Sequence, residues 1–162
     1  MNYAVIGFPK CGTTSMRDYL RVKYPDDNIV KLEFPIYGEA YKFSDFKILK
    51  GYKPIIMIRD KVDFLWSFYN YFSLSTVPFE DFLDMPFRAY NMKGLTPLQQ
   101  CDFDKWIEPF KKFNPMVTRL EDMMDKDDFP WNPITMTKDK PPMSDRDRGI
   151  ALDRLTSLNL YP

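Results

Sequence analysis

The chain has 162 residues, with 23 Lys plus Arg, 23 Asp plus Glu and no histidine, so its formal net charge is zero. That balance argues against a generally basic surface for nucleic acid or acidic membranes, though not against one local anion site. The missing imidazole removes Ser-His-Asp and Cys-His catalysis and His-ligated zinc.

At 44% hydrophobic and 17% aromatic, the sequence has enough apolar side chain for a packed core. Its length suits a single domain over residues 1–162. Cys11 and Cys101 are too few for a cysteine-built metal site. They lie 90 residues apart and are expected as free thiols in a reducing compartment, although one disulfide is possible. The N-terminal MNYAVIGFPKCG has no basic segment followed by a long apolar run, and no stretch reaches ~18 consecutive apolar residues. The expectation is a soluble cytoplasmic protein with no signal peptide, membrane span or nucleic-acid partner.

In chain order, Tyr3 to Ile6 predicts a short buried strand and Gly7 to Gly12 a loop. Thr13 to Tyr24 predicts a helix, with Met16, Tyr19, Leu20 and Tyr24 near one face. PDDN is a turn, and Ile29 to Phe34 alternates as a strand does. Pro35 to Lys53 is irregular, with room for a short helix. Pro54 to Ile58 is the strongest strand, apolar without alternation, as expected when both faces are covered. Val62 to Phe72 has helical spacing, and a helical turn is expected at Phe79 to Met85 within the Pro-rich stretch from Ser75 to Pro97. Phe103, Trp106, Ile107, Phe110 and Phe113 predict a helix that Pro109 interrupts. Met116 to Leu120 predicts a strand and Asp125 to Met143 a loop. Ser144 caps a last helix reaching about Leu158. The β-α-β order predicts an α/β fold, a central parallel sheet flanked by helices. Ligands of such sheets bind at the carboxyl ends of the strands, here just after Ile6, near Glu33 and just after Ile58.

The informative segment is GFPKCGTT, Gly7 to Thr14. Two of the six glycines in the chain lie here, five positions apart, between a strand and a helix start. Glycine permits a sharp turn and close backbone approach, and the helix start aims unpaired N–H groups into the same space. Lys10 adds charge, and Thr13 and Thr14 add hydroxyls, which makes an anion cradle. The spacing is that of the nucleotide P-loop, except that Thr13 stands where the P-loop lysine belongs and the lysine has moved to Lys10. An ordinary strand-to-helix turn is the plainer alternative.

Pro9, Lys10, Cys11, Gly12, Thr13 and Thr14 match the P-K-x-G-T-T phosphosulfate loop, so the chain resembles the sulfotransferases that use 3′-phosphoadenosine 5′-phosphosulfate (PAPS). A second signature of that family, a strand ending in R-D-P with a serine on the next helix, is similar to IIMIRDKVDFLWSFYNYF. Here Arg59 is followed by Ser67 eight residues later. The resemblance implies a three-layer P-loop-like fold, PAPS as donor and its desulfated product PAP, with no metal required. It also implies that Arg59 and Ser67 hold the 3′-phosphate. Two positions depart from the pattern: Lys61 replaces the usual proline, and Phe64 stands where many members have a second arginine. The segment DFDKWIEPFKKFNPMVTRLEDMMD and the C-terminal MSDRDRGIALDRL are also similar to parts of the family, whose members are longer.

Arg59 at a central strand end needs a partner, and a phosphate matches its fork; a structural ion pair, with Asp60 or another acid, is the alternative. Ser67, if not a ligand, would bond its own helix backbone. Cys11 has no evident base and reads as a small filler of the loop. With no histidine, the catalytic base falls to a carboxylate. Glu33 ends the second strand, and KLEF resembles the Lys-x-Glu region in glycan-modifying members, where the glutamate serves as base. A solvated Lys31–Glu33 pair is the alternative. Lys138 and Lys140 fall in a loop where the family places another cofactor-binding basic residue; the alternative is two solvent-facing lysines. Glu121 and Asp122 are expected to be structural. The expectation is therefore a PAPS-dependent sulfotransferase, with Lys10 and Glu33 catalytic and a small-molecule or glycan acceptor. A P-loop kinase or NTPase and a non-catalytic nucleotide-fold module are the other readings.

Overall fold

Four apolar runs become the strands of one parallel sheet: β1 (Asn2–Gly7), β2 (Asn28–Glu33), β3 (Lys53–Ile58) and β4 (Met116–Arg119), in the order β2-β1-β3-β4. The structure is a computed structural model and describes residues 1–8, 10–33, 49–71, 76–86, 94–130 and 141–161. Ala4, Val5 and Ile6 of β1 and Ile55, Ile56 and Met57 of β3 are all buried. Both central strands are therefore covered on both faces, which is why neither alternates in sequence. Pro54 is tolerated because it lies at the start of β3, before pairing with β4 begins at Ile55. At one edge, β4 leaves Met116 and Val117 exposed.

The helices follow their apolar faces. Helix α1 (Thr13–Lys23) buries Met16, Tyr19 and Leu20 and leaves Val22 in solvent. Helix α2 (Lys61–Tyr71) buries Val62, Phe64, Leu65, Trp66, Ser67 and Phe68. Phe64 sits in an aromatic cluster, with ring centroids 5.8 Å from Phe8, 5.4 Å from Phe68 and 5.7 Å from Phe103. Between α2 and β4 lie α3 (Phe79–Leu83), α4 (Pro97–Gln100), α5 (Phe103–Ile107) and a 3-10 helix (Glu108–Phe113). The aromatic stretch is thus a helix that tightens at Pro109, which occupies the first turn of the 3-10 segment where a missing N–H costs little. Helix α4 was not expected, although its capping box, Thr96 with Gln99, is readable in sequence. Leu120 opens a short α6 (Leu120–Met124) instead of ending β4. The last helix, α7 (Asp145–Ser157), starts at Ser144, whose Oγ accepts from the Asp147 N–H at 3.1 Å. Phe34, Phe72, most of the stretch 35–53 and residues 131–140 of the expected loop lie outside the described residues. Among the described residues, no helix is long and apolar enough to cross a membrane.

The strand order positions the site. From β1 the chain passes through α1 to β2 on one side, and later returns to β3 on the other. The carboxyl ends of β1 and β3 are therefore the point where connections diverge, the position at which open α/β sheets bind ligands.

Candidate functional site

The loop after β1 is shaped by close packing. Gly7 lies between Glu33 and Met57 in the ladder. A Cβ there would come within 2.8 Å of the Met57 carbonyl oxygen and 2.9 Å of Thr13 Cγ2. Gly12 has φ +79, and a Cβ would meet Leu120 Cδ1 at 2.5 Å. Lys10 also has a left-handed backbone, φ 73, a conformation that costs a non-glycine residue roughly 1 kcal/mol or more and gathers at functional sites.

The first turn of α1 faces this loop. Its N-cap is Gly12, which has no side chain to accept from the orphan N–H groups of Thr13, Thr14 and Ser15. The Cys11 N–H is instead engaged by the Phe8 carbonyl at 3.2 Å. Cys11 is fully buried, and burial pushes its thiol up to about 12 against the opposing pull of the Arg59 cation. It is a wall of the loop and not a nucleophile. Cys11 and Cys101 are both buried free thiols, and burial raises Cys101 as well.

Arg59 follows β3 and reaches across to this loop. Its Nη1 donates to the Lys10 carbonyl at 3.1 Å. Its Nε is buried with no hydrogen-bond partner, and among the described residues it forms no ion pair. The expected alternative, an Arg59–Asp60 pair, is not what the described residues form. Asp60 serves as the cap of α2: its Oδ1 accepts from the Asp63 N–H at 3.0 Å, and its Oδ2 accepts from the Tyr161 hydroxyl at 3.4 Å. The Asp60 N–H donates to Glu121 Oε1 at 2.9 Å, and Glu121 Oε2 lies 3.7 Å from Arg119 Nε. Glu121 is structural, as its sequence position suggested.

Ser67 is buried on α2, and no hydrogen bond from the described residues occupies its hydroxyl. One turn later on the same helix, Tyr71 places its ring 4.1 Å from Lys10 Nζ. The loop after β1, the tip of β3 and the second half of α2 are therefore joined through Lys10, Arg59 and Tyr71. The two sequence departures have structural reasons. Phe64 is a core residue. Lys61 donates to the Leu160 carbonyl and lies 5.9 Å from the Phe103 ring, so it ties the C-terminal segment to the start of α2.

On the other flank, Lys31 of β2 donates through Nζ to Thr14 Oγ1 at 3.1 Å. Glu33 ends β2 in register with Gly7, which sets its backbone one strand from the start of the loop. The structure thus brings together Lys10, Cys11, Gly12, Thr13, Thr14 and Arg59, with Ser67 on the helix that packs against Lys10. Pro9 and Lys138, with Lys140, lie outside the described residues. Lys31 is not among the site residues expected from sequence, and Tyr71 is expected there only as one of several aromatic residues that are mostly core. The available signals were that Lys31 lies two residues before Glu33 on the same strand, and Tyr71 one helical turn after Ser67. Chemically, Lys10, Arg59 and Lys31 and the uncapped start of α1 border one loop with left-handed backbone, an arrangement suited to phosphate-like oxygens. No family model matches the chain, and no curated protein or solved structure matches it either.

Proposed function

We propose that the protein is a sulfotransferase with a P-loop-like fold, using PAPS as donor and a hydroxyl or amine, foremost on a carbohydrate, as acceptor. The observation that carries this reading is Arg59: a half-buried guanidinium at the sheet's ligand edge with a buried, unpartnered Nε. Leaving such a donor unsatisfied costs about 1–3 kcal/mol, and a phosphate oxygen would remove that cost. The likeness of the loop and of the Arg59–Ser67 spacing to the sulfotransferase signatures names the anion.

When bound, PAPS supplies a sulfuryl group that passes to the acceptor, leaving PAP. The α1 N–H groups, Thr13 and Thr14 hold the loop-side anion, and Arg59 and Ser67 hold the 3′-phosphate. Lys10 neutralises charge on the leaving phosphate, an electrostatic contribution like that in phosphoryl transfer. Glu33 takes the acceptor proton, and Lys138 adds a cation. A magnesium-dependent kinase would need a carboxylate at the β3 tip for the metal. Asp60 is the nearest, and both its oxygens already hold the α2 cap and Tyr161.

The test is binding followed by transfer. PAP without magnesium should raise the melting temperature more than ATP with magnesium, and the reverse ranking would favour a kinase. Radiolabelled PAPS offered with glycans, phenols and peptides should label one acceptor class. Glu33→Gln should keep the PAP-induced shift while turnover falls by about 100-fold or more. Unchanged turnover removes Glu33 as the base.

A further inference from the structure

Helix α2 begins with half of a capping box. Asp60 is the N-cap, and its Oδ1 accepts from the Asp63 N–H at 3.0 Å. In a complete box the side chain at that third helical position accepts in return from the N-cap N–H. Here that side chain is an aspartate, one methylene shorter than the usual glutamate, and Asp63 Oδ1 lies 3.7 Å from Arg148 Nη2. The Asp60 N–H is satisfied from 61 residues away, by Glu121 Oε1 at 2.9 Å. A carboxylate on α6 therefore completes the start of α2.

That bond falls on the residue directly after Arg59. The backbone that launches the guanidinium is therefore held on one side by the end of β3 at Ile58 and on the other by Glu121. Glu121 is itself confined: its Oε2 is buried, lies 3.7 Å from Arg119 Nε, and accepts no hydrogen bond among the described residues. Its neighbour Leu120 is fully buried, and its Cδ1 would come within 2.5 Å of a Cβ on Gly12. The buried Cys11 thiol feels both charges, lowered by the Arg59 cation and raised by the Glu121 carboxylate. The first two residues of α6 thus abut the loop after β1 and the residue that follows Arg59.

We infer that Glu121 is a positioning residue for Arg59: by holding the Asp60 N–H, it fixes the direction in which the guanidinium leaves the tip of β3, and with it the contact to the 3′-phosphate of the ligand. The inference rests on the donor assignment above and deepens it. Glu121 acts through Arg59 and not on the ligand directly. Its loss should therefore be felt by ligands that carry the group Arg59 holds, and only while Arg59 is present.

Calorimetry on the full chain tests this with two probes, adenosine 3′,5′-bisphosphate and adenosine 5′-monophosphate, which lacks the 3′-phosphate. Glu121→Leu removes the acceptor, and loosening one charge-assisted contact should weaken the bisphosphate by about tenfold. The 5′-monophosphate should bind that variant within about twofold of wild type. Glu121→Gln keeps an acceptor oxygen and should bind the bisphosphate within about threefold of wild type. In an Arg59→Met background, Glu121→Leu should weaken the bisphosphate by no more than about twofold further, because the two residues form one unit. Unliganded melting temperatures establish that each variant folds. Should Glu121→Leu fail to fold, Glu121→Asp, which withdraws the acceptor by one methylene, carries the test with about fivefold weakening of the bisphosphate alone. Wild-type affinity for the bisphosphate in a folded Glu121→Leu or Glu121→Asp overturns the inference and leaves the donor assignment standing. Equal weakening of both probes, or the full loss recurring in the Arg59→Met background, also overturns it, because Glu121 would then be a general support of the fold. No bisphosphate binding by the wild type removes the donor assignment and this inference with it.

Discussion

Replacing Arg59 with Met separates a ligand-binding guanidinium from a structural one. In the unliganded protein, the side chain contributes one charged hydrogen bond, Nη1 to the Lys10 carbonyl at 3.1 Å, worth about 1.5–3 kcal/mol. It also carries one buried, unpartnered Nε, whose lost hydration costs about 1–3 kcal/mol. The two nearly cancel. Met fills a similar length without polar atoms, so the net change in stability should stay within ~1 kcal/mol. For a chain of this size that is roughly 2–4 °C in melting temperature. Ligand binding should change far more. A bound phosphate would engage Nε and a terminal nitrogen together, and losing two such contacts amounts to about 100-fold or more in affinity. Arg59→Lys, a point charge without the fork, should recover only part of it. The assay is scanning fluorimetry of the unliganded variants beside calorimetric titration with PAP. A melting temperature lowered by more than ~8 °C with PAP affinity within about threefold of wild type would show that Arg59 is a core strut, and the reasoning would fail.

Gly12→Ala should destabilise by about 2–4 kcal/mol in urea titration, since φ +79 and the 2.5 Å approach of Leu120 both oppose a Cβ. Gly149→Ala, in α7 with no atom within 4 Å of the new Cβ, should instead stabilise by ~0.5–1 kcal/mol, and equal effects at the two sites would contradict this packing. Tyr71→Leu should weaken PAP binding by about fivefold through loss of the ring under Lys10, while Tyr71→Phe stays within about twofold; equal damage by both would assign the effect to the hydroxyl. Cys11, raised from 9.0 to about 12, keeps its proton in the native state where the unfolded chain loses it. Its contribution is therefore complete below about pH 9 and falls as pH rises toward 12, at up to ~1.4 kcal/mol per pH unit. Urea midpoints at pH 8 and 10.5 should fall more steeply for the wild type than for Cys11→Ala, and parallel profiles would contradict a buried, protonated thiol.

Much of this molecule is readable from local pattern. The unbroken apolar run PIIMI became β3, the spacing of Val62, Leu65, Trp66 and Tyr69 became α2, and Ser144 capped α7 as its chemistry demands. The two loop glycines were also legible, because they mark a sharp strand-to-helix turn. What sequence could not supply was which tips become neighbours. Arg59 meets Lys10 across 49 residues, Lys31 meets Thr14 across 17, and Tyr161 meets Asp60 across 101. Periods of 2 and 3.6 state which face of an element is buried, but not which strand lies beside it. The order β2-β1-β3-β4 decides that, through ladder registers whose hydrogen bonds form between distant segments. Only once β1 lies between β2 and β3 do Lys31 and Arg59, distant from each other in the linear chain, flank a single loop.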